Sequence, residues 1–424
     1  MTNKGIALRG IEVRNKVFVP LFLVLSIFIT FFISQPANAQ RKELALARQF
    51  IKTKNNLAQA EQSMRNLLAD SANRQNTKIW LTLFEATKKQ YEFGNEKLYL
   101  KQPYDTAQLF LAIKKMFDVL ESFDSIDAHP DKHGKIKWKY RRKHSEYLKS
   151  HRSNLYNGGS WFIKKQDFAH AFEFFDAYID CARQPLLAHY KYLERDSLMP
   201  QAAYWAVYSG YKLKNAQATL KHKELALSDT TRQAFLLQYL GEIYKLQGDT
   251  ANYLQTLRQG IENHPSFPYF FPRLIDYYAN LEEPQTALAV CDQALLTDPR
   301  NLYYRLAKST LLLNLRRYDE CITICDELIS TADTLAEAYY NAGAAYFNQT
   351  IDLQKRQETK QQRSRRQTLY KQALPYMQKY RALAPHAQER WAMPLYTIYL
   401  NLNMGKEFDE IDALLRNKND KEQQ

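Results

Sequence analysis

The sequence predicts an all-α protein, an α–α superhelix assembled from helix–turn–helix pairs, and three observations carry that prediction. Apolar and small residues recur every 34 positions. Within each period they sit at i, i+3, i+4 and i+7, one face of an α-helix. Glycine or proline stands between the helical stretches, where a helix must stop and restart. With 424 residues, 45% hydrophobic and 25% charged, the chain is long enough to bury a substantial apolar core.

The N-terminus is a separate element. Lys4, Arg9, Arg14 and Lys16 precede an apolar run from Val17 to Ile33, and Ala37 and Ala39 follow at the spacing a signal peptidase reads. Residues 1–39 are therefore expected to be a signal peptide cleaved after Ala39. The run is short, near the lower limit for crossing a bilayer, so an uncleaved N-terminal membrane anchor is the alternative. No cysteine follows it, which argues against a lipoprotein. In either case the remainder is expected to be exported, to the periplasm or cell envelope of a bacterium.

Export changes the meaning of the formal net charge of +14. An exported basic chain meets anionic lipid, cell-wall polymer and acidic proteins, so no nucleic-acid partner is expected. Four cysteines (Cys181, Cys291, Cys321 and Cys325) are too few for a disulfide scaffold of this length.

Residues 40–151 read as divergent helical pairs that cap an array, since the end units of a solenoid need an atypical outer face. The stretch 44–70 is amphipathic, and 79–95 with 106–123 makes a further pair across a long linker. Between His129 and His144 lies HPDKHGKIKWKYRRKH. His129, Asp131 and His133 have metal-ligating side chains, but they share a loop of undefined shape, and no metal is expected. Lys137, Lys139, Arg141 and Arg142, interleaved with Trp138 and Tyr140, suit an anionic surface. The plainer alternative is a solvated helix face whose aromatics pack inward.

The array proper is expected over 152–416, with a disordered tail at 417–424. Its clearest period holds Leu237, Leu240, Gly241 and Tyr244, then Tyr253, Leu257, Gly260 and Pro265. One period later stand Phe271, Leu274, Ile275 and Tyr278, then Ala287, Cys291, Ala294 and Pro299. A third carries Arg305, Lys308, Ser309 and Leu312, then Cys321, Cys325 and Leu328. Pro265 closes a unit; Pro268 and Pro272 are expected at the start and in the first turn of the next helix, where amide protons lack partners anyway.

This pattern resembles the tetratricopeptide repeat family, a 34-residue helix–turn–helix with a small residue midway along the first helix, another early in the second, and a terminal proline. On that likeness Gly241 and Gly343 are expected to let a neighbouring helix approach closely. Upstream, Leu155, Gly159 and Phe162 with Ala171, Phe175 and Tyr178 keep the frame. Downstream, Tyr339, Ala342, Gly343 and Tyr346 open a unit that closes with Ala373, Met377, Tyr380 and Pro385, across a basic insertion at about 349–371. Such an insertion is expected in the turn between paired helices, as a mobile loop or extended helix ends, and its Arg363, Arg365 and Arg366 suit an anionic partner. In the final pair, Pro394 is expected to delay or kink a helix beginning at Gln388.

Cys321 and Cys325, at i and i+4, are expected to be buried as small hydrophobes. No catalytic constellation or cofactor motif appears. What remains is a surface. The resemblance implies that the first helices of successive pairs line a concave face, where Phe235, Tyr269 and Tyr303 form an aromatic row extended by Tyr156, Tyr340, Tyr396 and Tyr399. The competing reading is that these rings only pack between units. The expected function is a non-enzymatic interaction scaffold of the cell envelope that binds a protein or peptide along this face. The alternative is a structural envelope module docked on anionic membrane or cell wall through its basic stretches; oligomeric state is not specified by the sequence.

Overall fold

A computed structural model describes residues 39–130, 133–354 and 359–422. The expected signal segment falls almost wholly outside them, as do Asp131 and the side chain of His129. The chain forms two compact units, which meet in sequence at Thr230 and Thr231. The boundary expected at 151/152 falls inside a helix instead.

In the first unit the amphipathic N-terminal stretch is two helices, α1 (39–53) and α2 (Leu57–Ala69), separated where Lys54 and Asn56 take left-handed backbone. Then come α3 (Thr77–Tyr99) and α4 (Thr106–Asp127). Asn76 and Asp105 start them by accepting the amide protons of Lys78 and Ala107 at 3.1 and 2.8 Å. A short antiparallel hairpin follows, β1 (Ala128–Pro130) with β2 (Ile136–Trp138), Ala128 opposite Trp138. The basic run is thus a strand up to Trp138, and the helix face expected there begins only at Arg141. The unit continues through α5 (Arg141–Lys164), α6 (Phe168–Asp180), α7 (Tyr192–Arg195), α8 (Met199–Lys212), α9 (Ala216–Lys221) and α10 (Lys223–Leu227).

The second unit contains α11 (Gln233–Gln247), α12 (Thr250–Asn263), α13 (Phe270–Asn280), α14 (Pro284–Thr297), α15 (Leu302–Asn314), α16 (Tyr318–Thr331), α17 (Ala336–Gln354), α18 (Lys360–Leu383), α19 (Gln388–Asn401) and α20 (Gly405–Glu422). Within it each helix packs on the one before and the one after, and α12 touches α14, α15 touches α17, and α17 touches α19. Nearest-neighbour packing of this kind defines an all-α, tetratricopeptide-like solenoid, in which each pair buries its apolar face only against adjacent pairs. Phe270, Tyr304, Tyr370 and Tyr380 are among its largest fully buried side chains. All four cysteines are free and buried, and burial pushes the Cys181 and Cys291 thiols up to about 12.

The second helices keep the period strictly: α9, α12, α14 and α16 begin at Ala216, Thr250, Pro284 and Tyr318, each a full period after the last. So do the turns before them. Lys214, Gly248, Glu282 and Arg316 all have positive φ, between 53° and 71°. The next amide proton returns to a carbonyl in the last turn of the first helix in every case: Asn215 to Gly210, Asp249 to Tyr244, Glu283 to Tyr278 and Arg317 to Leu312, at 2.9–3.0 Å. This is the hydrogen-bond pattern that ends a helix on a left-handed residue. Asn215 and Asp249 then accept an amide proton of the following helix at 3.1 Å.

The insertion takes the second of its two expected forms, extended ends of the paired helices: its described residues lengthen α17 to 19 and α18 to 24 residues, and Thr359 and Gln362 make a reciprocal capping box at the start of α18. Helix α19 begins at Gln388 without the expected delay and runs past Pro394. Two further expectations are corrected. Helix α20 continues to Glu422, where a disordered tail was expected from 417. Gly241 has room to spare, since a Cβ there would sit 3.5 Å from Tyr269, an ordinary contact. The tight glycine of that period is Gly260, where a Cβ would overlap the Phe270 ring.

Candidate partner-binding groove

The first helices of two successive pairs, α15 and α17, with α19 beyond them, enclose an open cavity of about 460 Å³. Leu313 and Asn314 of α15 face it, and so do Phe347 and Asn348 of α17, each one repeat on from its counterpart. Tyr340, Ala344, Phe347, Asn348 and Ile351 recur on α17 at the spacing of one helix face, which is why a single face supplies them. Met377 and Pro394 contribute from α18 and α19. Gly343 is packed on that side, because a Cβ there would lie 3.0 Å from Met377.

The two ends of the cavity differ. At one, Asp352 accepts hydrogen bonds from Arg316 and Tyr318 at 2.9 and 3.1 Å. At the other, Tyr340 lies under the Arg390 guanidinium, 3.8 Å from ring centroid to carbon. Arg390 is fixed by a two-pronged bond to Glu337 at 2.7 and 2.8 Å, which raises its pKa above the ordinary arginine value. The cavity therefore offers apolar wall, two amide side chains, and a charged pair at each rim.

The expected aromatic row divides three ways. Phe235 and Tyr303 are exposed, at 49% and 54%, and brace edge-on against Phe267 and Phe271. Tyr340, Tyr156 and Tyr396 are half-buried. Tyr340 lines the cavity, whereas Tyr156 packs on Phe175 and Tyr178 and Tyr396 on Phe408. Tyr269 and Tyr399 are buried, at 7% and 2%, and the packing reading holds for both. Tyr269 precedes its helix: α13 begins one residue later, at Phe270, with Pro268 in the turn before it. Its hydroxyl donates to Glu242 at 2.8 Å, and burial together with that carboxylate pushes its pKa well up.

The basic candidates also separate. Lys137, Lys139 and Arg142 are exposed. Arg141 is a brace, bound to both oxygens of Asp124 at 2.8 and 2.5 Å and laid 3.8 Å from the Trp138 ring centroid. Arg363, Arg365 and Arg366 lie in the first two turns of α18, and Arg365 lines a second cavity of about 360 Å³ with Asp319 and Tyr346. Asp176, Asp180 and His222 bring potential metal ligands within 4.8 Å of one another. Lys221 Nζ lies 2.5 and 2.6 Å from the two carboxylates, so an ammonium already occupies the place a cation would take. Asn314, Asn348, Leu313 and Phe347 escaped sequence analysis; stepping one period forward from Asn314 would have found the amide pair.

Fold and groove together define a class: a solenoid of helix pairs with an open, mixed polar and aromatic face on its first helices. No family model and no curated protein matches the chain. Solved structures with similar helix-pair construction include the C-terminal part of a TPR repeat-containing protein from Cytophaga hutchinsonii, 14% identical over 60% of this chain and 91% of that one, TM-score 0.39. A tetratricopeptide repeat protein from Parabacteroides merdae is 19% identical over 63% and 98%, TM-score 0.32. MamA from Desulfovibrio magneticus is 20% identical over 43% and 96%, TM-score 0.33. What this chain does with such a construction depends on its own side chains.

Proposed function

We propose that this protein is a non-enzymatic scaffold that holds an extended segment of a partner protein across the groove of α15, α17 and α19. The observation that carries the reading is the pair Asn314 and Asn348, set one repeat apart in a cavity walled by Leu313, Tyr340 and Phe347. An asparagine amide carries both a donor and an acceptor, matching a peptide unit. Apolar wall between the amides takes the side chains, and a rigid helical frame limits the entropy lost on binding. The basic residues preceding an apolar run and small residues at the N-terminus support a place in the cell envelope, facing away from the cytoplasm.

The test is photocrosslinking from position 348 in cells, with Tyr156 as a control site in the first unit. A defined protein captured from 348 and not from 156, and lost in Asn314→Ala/Phe347→Ala by about tenfold or more, supports the reading. Equal capture from both positions, or capture indifferent to the double substitution, overturns it.

A further inference from the structure

The β1–β2 hairpin of the first unit carries a surface that the groove reading leaves unused. From Lys135 to Lys143 the sequence is KIKWKYRRK, six cations and no acid. Alternate residues of a strand face opposite sides, so within β2 Ile136 and Trp138 share one face and Lys137 takes the other. The base is anchored in the core. Asp127 accepts the Tyr140 amide proton at 2.7 Å, Asp124 grips Arg141, and the Tyr140 ring packs on Phe123 and His144 at 5.8 and 5.7 Å. Both carboxylates are buried. The strand beyond is open to solvent: Ile136 is 48% and Trp138 40% exposed, with Arg141 holding the indole in place.

We propose that this hairpin docks the protein on an anionic phospholipid bilayer, Ile136 and Trp138 entering the headgroup region while the lysines and Arg142 meet lipid phosphates. Three occupants compete for such a surface. A second copy would bring the same basic run, in which Asp124 neutralises Arg141 but the remaining cations are of one sign, and be repelled. A soluble polyanion would engage the lysines and leave Ile136 and Trp138 in water. A bilayer interface supplies negative charge and an apolar phase at one depth, where indole rings concentrate and long basic side chains reach outward to the phosphates.

The experiment uses the full chain with vesicles of brominated phosphatidylcholine, alone or equimolar with brominated phosphatidylglycerol. Bromine quenches only nearby tryptophan, and none of the protein's five tryptophans lies in residues 1–38, so insertion of the N-terminal apolar run does not itself produce a signal. Emission should be quenched by the phosphatidylglycerol vesicles and not by phosphatidylcholine alone, and Trp138→Phe should remove that quenching. Each basic residue at an anionic surface multiplies binding about fivefold, so Lys135→Gln/Lys137→Gln/Lys139→Gln should raise the lipid needed for half-quenching about 100-fold. Quenching that survives Trp138→Phe, or that ignores lipid charge or the lysines, overturns the proposal. So does a self-associated chain that Trp138→Ser renders monomeric, which would make the hairpin a contact between copies.

Discussion

Tyr269 and Tyr303 stand one repeat apart, at the same point of consecutive helix pairs, yet one is buried at 7% exposure and the other is open at 54%. Tyr303 is the second residue of α15, started by Asn301, whose side chain accepts the Tyr303 and Tyr304 amide protons at 3.1 and 3.2 Å. Tyr269 stands one residue ahead of α13, in a turn set by Pro268, and its ring lies over Gly241 with its hydroxyl on Glu242. The repeat assigns a residue its place along the chain; a shift of helix start by a residue or two decides which way its side chain points.

The largest expected effect tests that contrast directly. Tyr269→Ala should cost about 3–4 kcal/mol, the range for truncating a buried aromatic ring, while Tyr303→Ala should stay within about 0.5 kcal/mol. Urea denaturation of the two variants measures both, and comparable losses would remove the distinction. The same comparison applies to two glycines that the repeat frame treats alike. Gly260→Ala would force a methyl into the Phe270 ring and should cost about 1–3 kcal/mol. Gly241→Ala meets nothing closer than 3.5 Å and gains helix propensity, so it should be neutral or stabilising by up to about 1 kcal/mol. If Gly241 proved the costlier site, the packing described around Tyr269 would be wrong.

These contrasts show where sequence is informative. Helix pairs and period follow from which side chains are apolar, and both were legible; of the small-residue positions, Gly260 and Gly343 are closely packed and Gly241 is not. The start of α13 was not, because Pro265, Pro268 and Pro272 in close succession permit several entry geometries that only packing on the preceding pair resolves. Nor was the second helix of the α8 pair, which breaks at His222, whose ring bonds Asp176 at 2.7 Å. The groove was half legible. Tyr340 belongs to the aromatic row, but the amides that give the cavity its polarity lie further along the helices, where the repeat signature is silent.

The first unit holds the same contrast in ionisable form. On α4, Asp118 is half-exposed beside Lys114, while Glu121 one turn later is half-buried, with one carboxylate oxygen shut off from solvent and lacking a hydrogen-bond partner among the described residues. Burial, with Asp118 and Asp180 nearby, pushes the Glu121 carboxyl up to about 8. An unfolded glutamate releases its proton near pH 4.3, roughly the model-peptide value. Between these values the unfolded state holds fewer protons than the folded one, so stability falls as pH rises through the window. Glu121→Gln removes the ionisation and should stabilise by about 1–2 kcal/mol at high pH, with the gain disappearing in acid. Denaturation midpoints measured on either side of the window check it, and a gain that is independent of pH would assign the effect to something other than charge.

The smallest effect concerns the turns. Lys214, Gly248, Glu282 and Arg316 share one backbone geometry, and only Gly248 has the residue type that geometry favours. A side chain with left-handed backbone costs about 1 kcal/mol, partly offset because glycine is freer when unfolded. Glu282→Gly should therefore stabilise by about 0.5 kcal/mol and Gly248→Ala should destabilise by about 1 kcal/mol, opposite signs at equivalent positions. Arg316 is the informative exception, since its guanidinium also holds Asp352 at the rim of the groove. Arg316→Gly should relieve the same backbone strain while releasing Asp352, so its gain in stability should come with weakened capture of the partner from position 348. If partner capture is unchanged in Arg316→Gly, the charged rim takes no part in binding and the groove is read by its amides and aromatic wall alone.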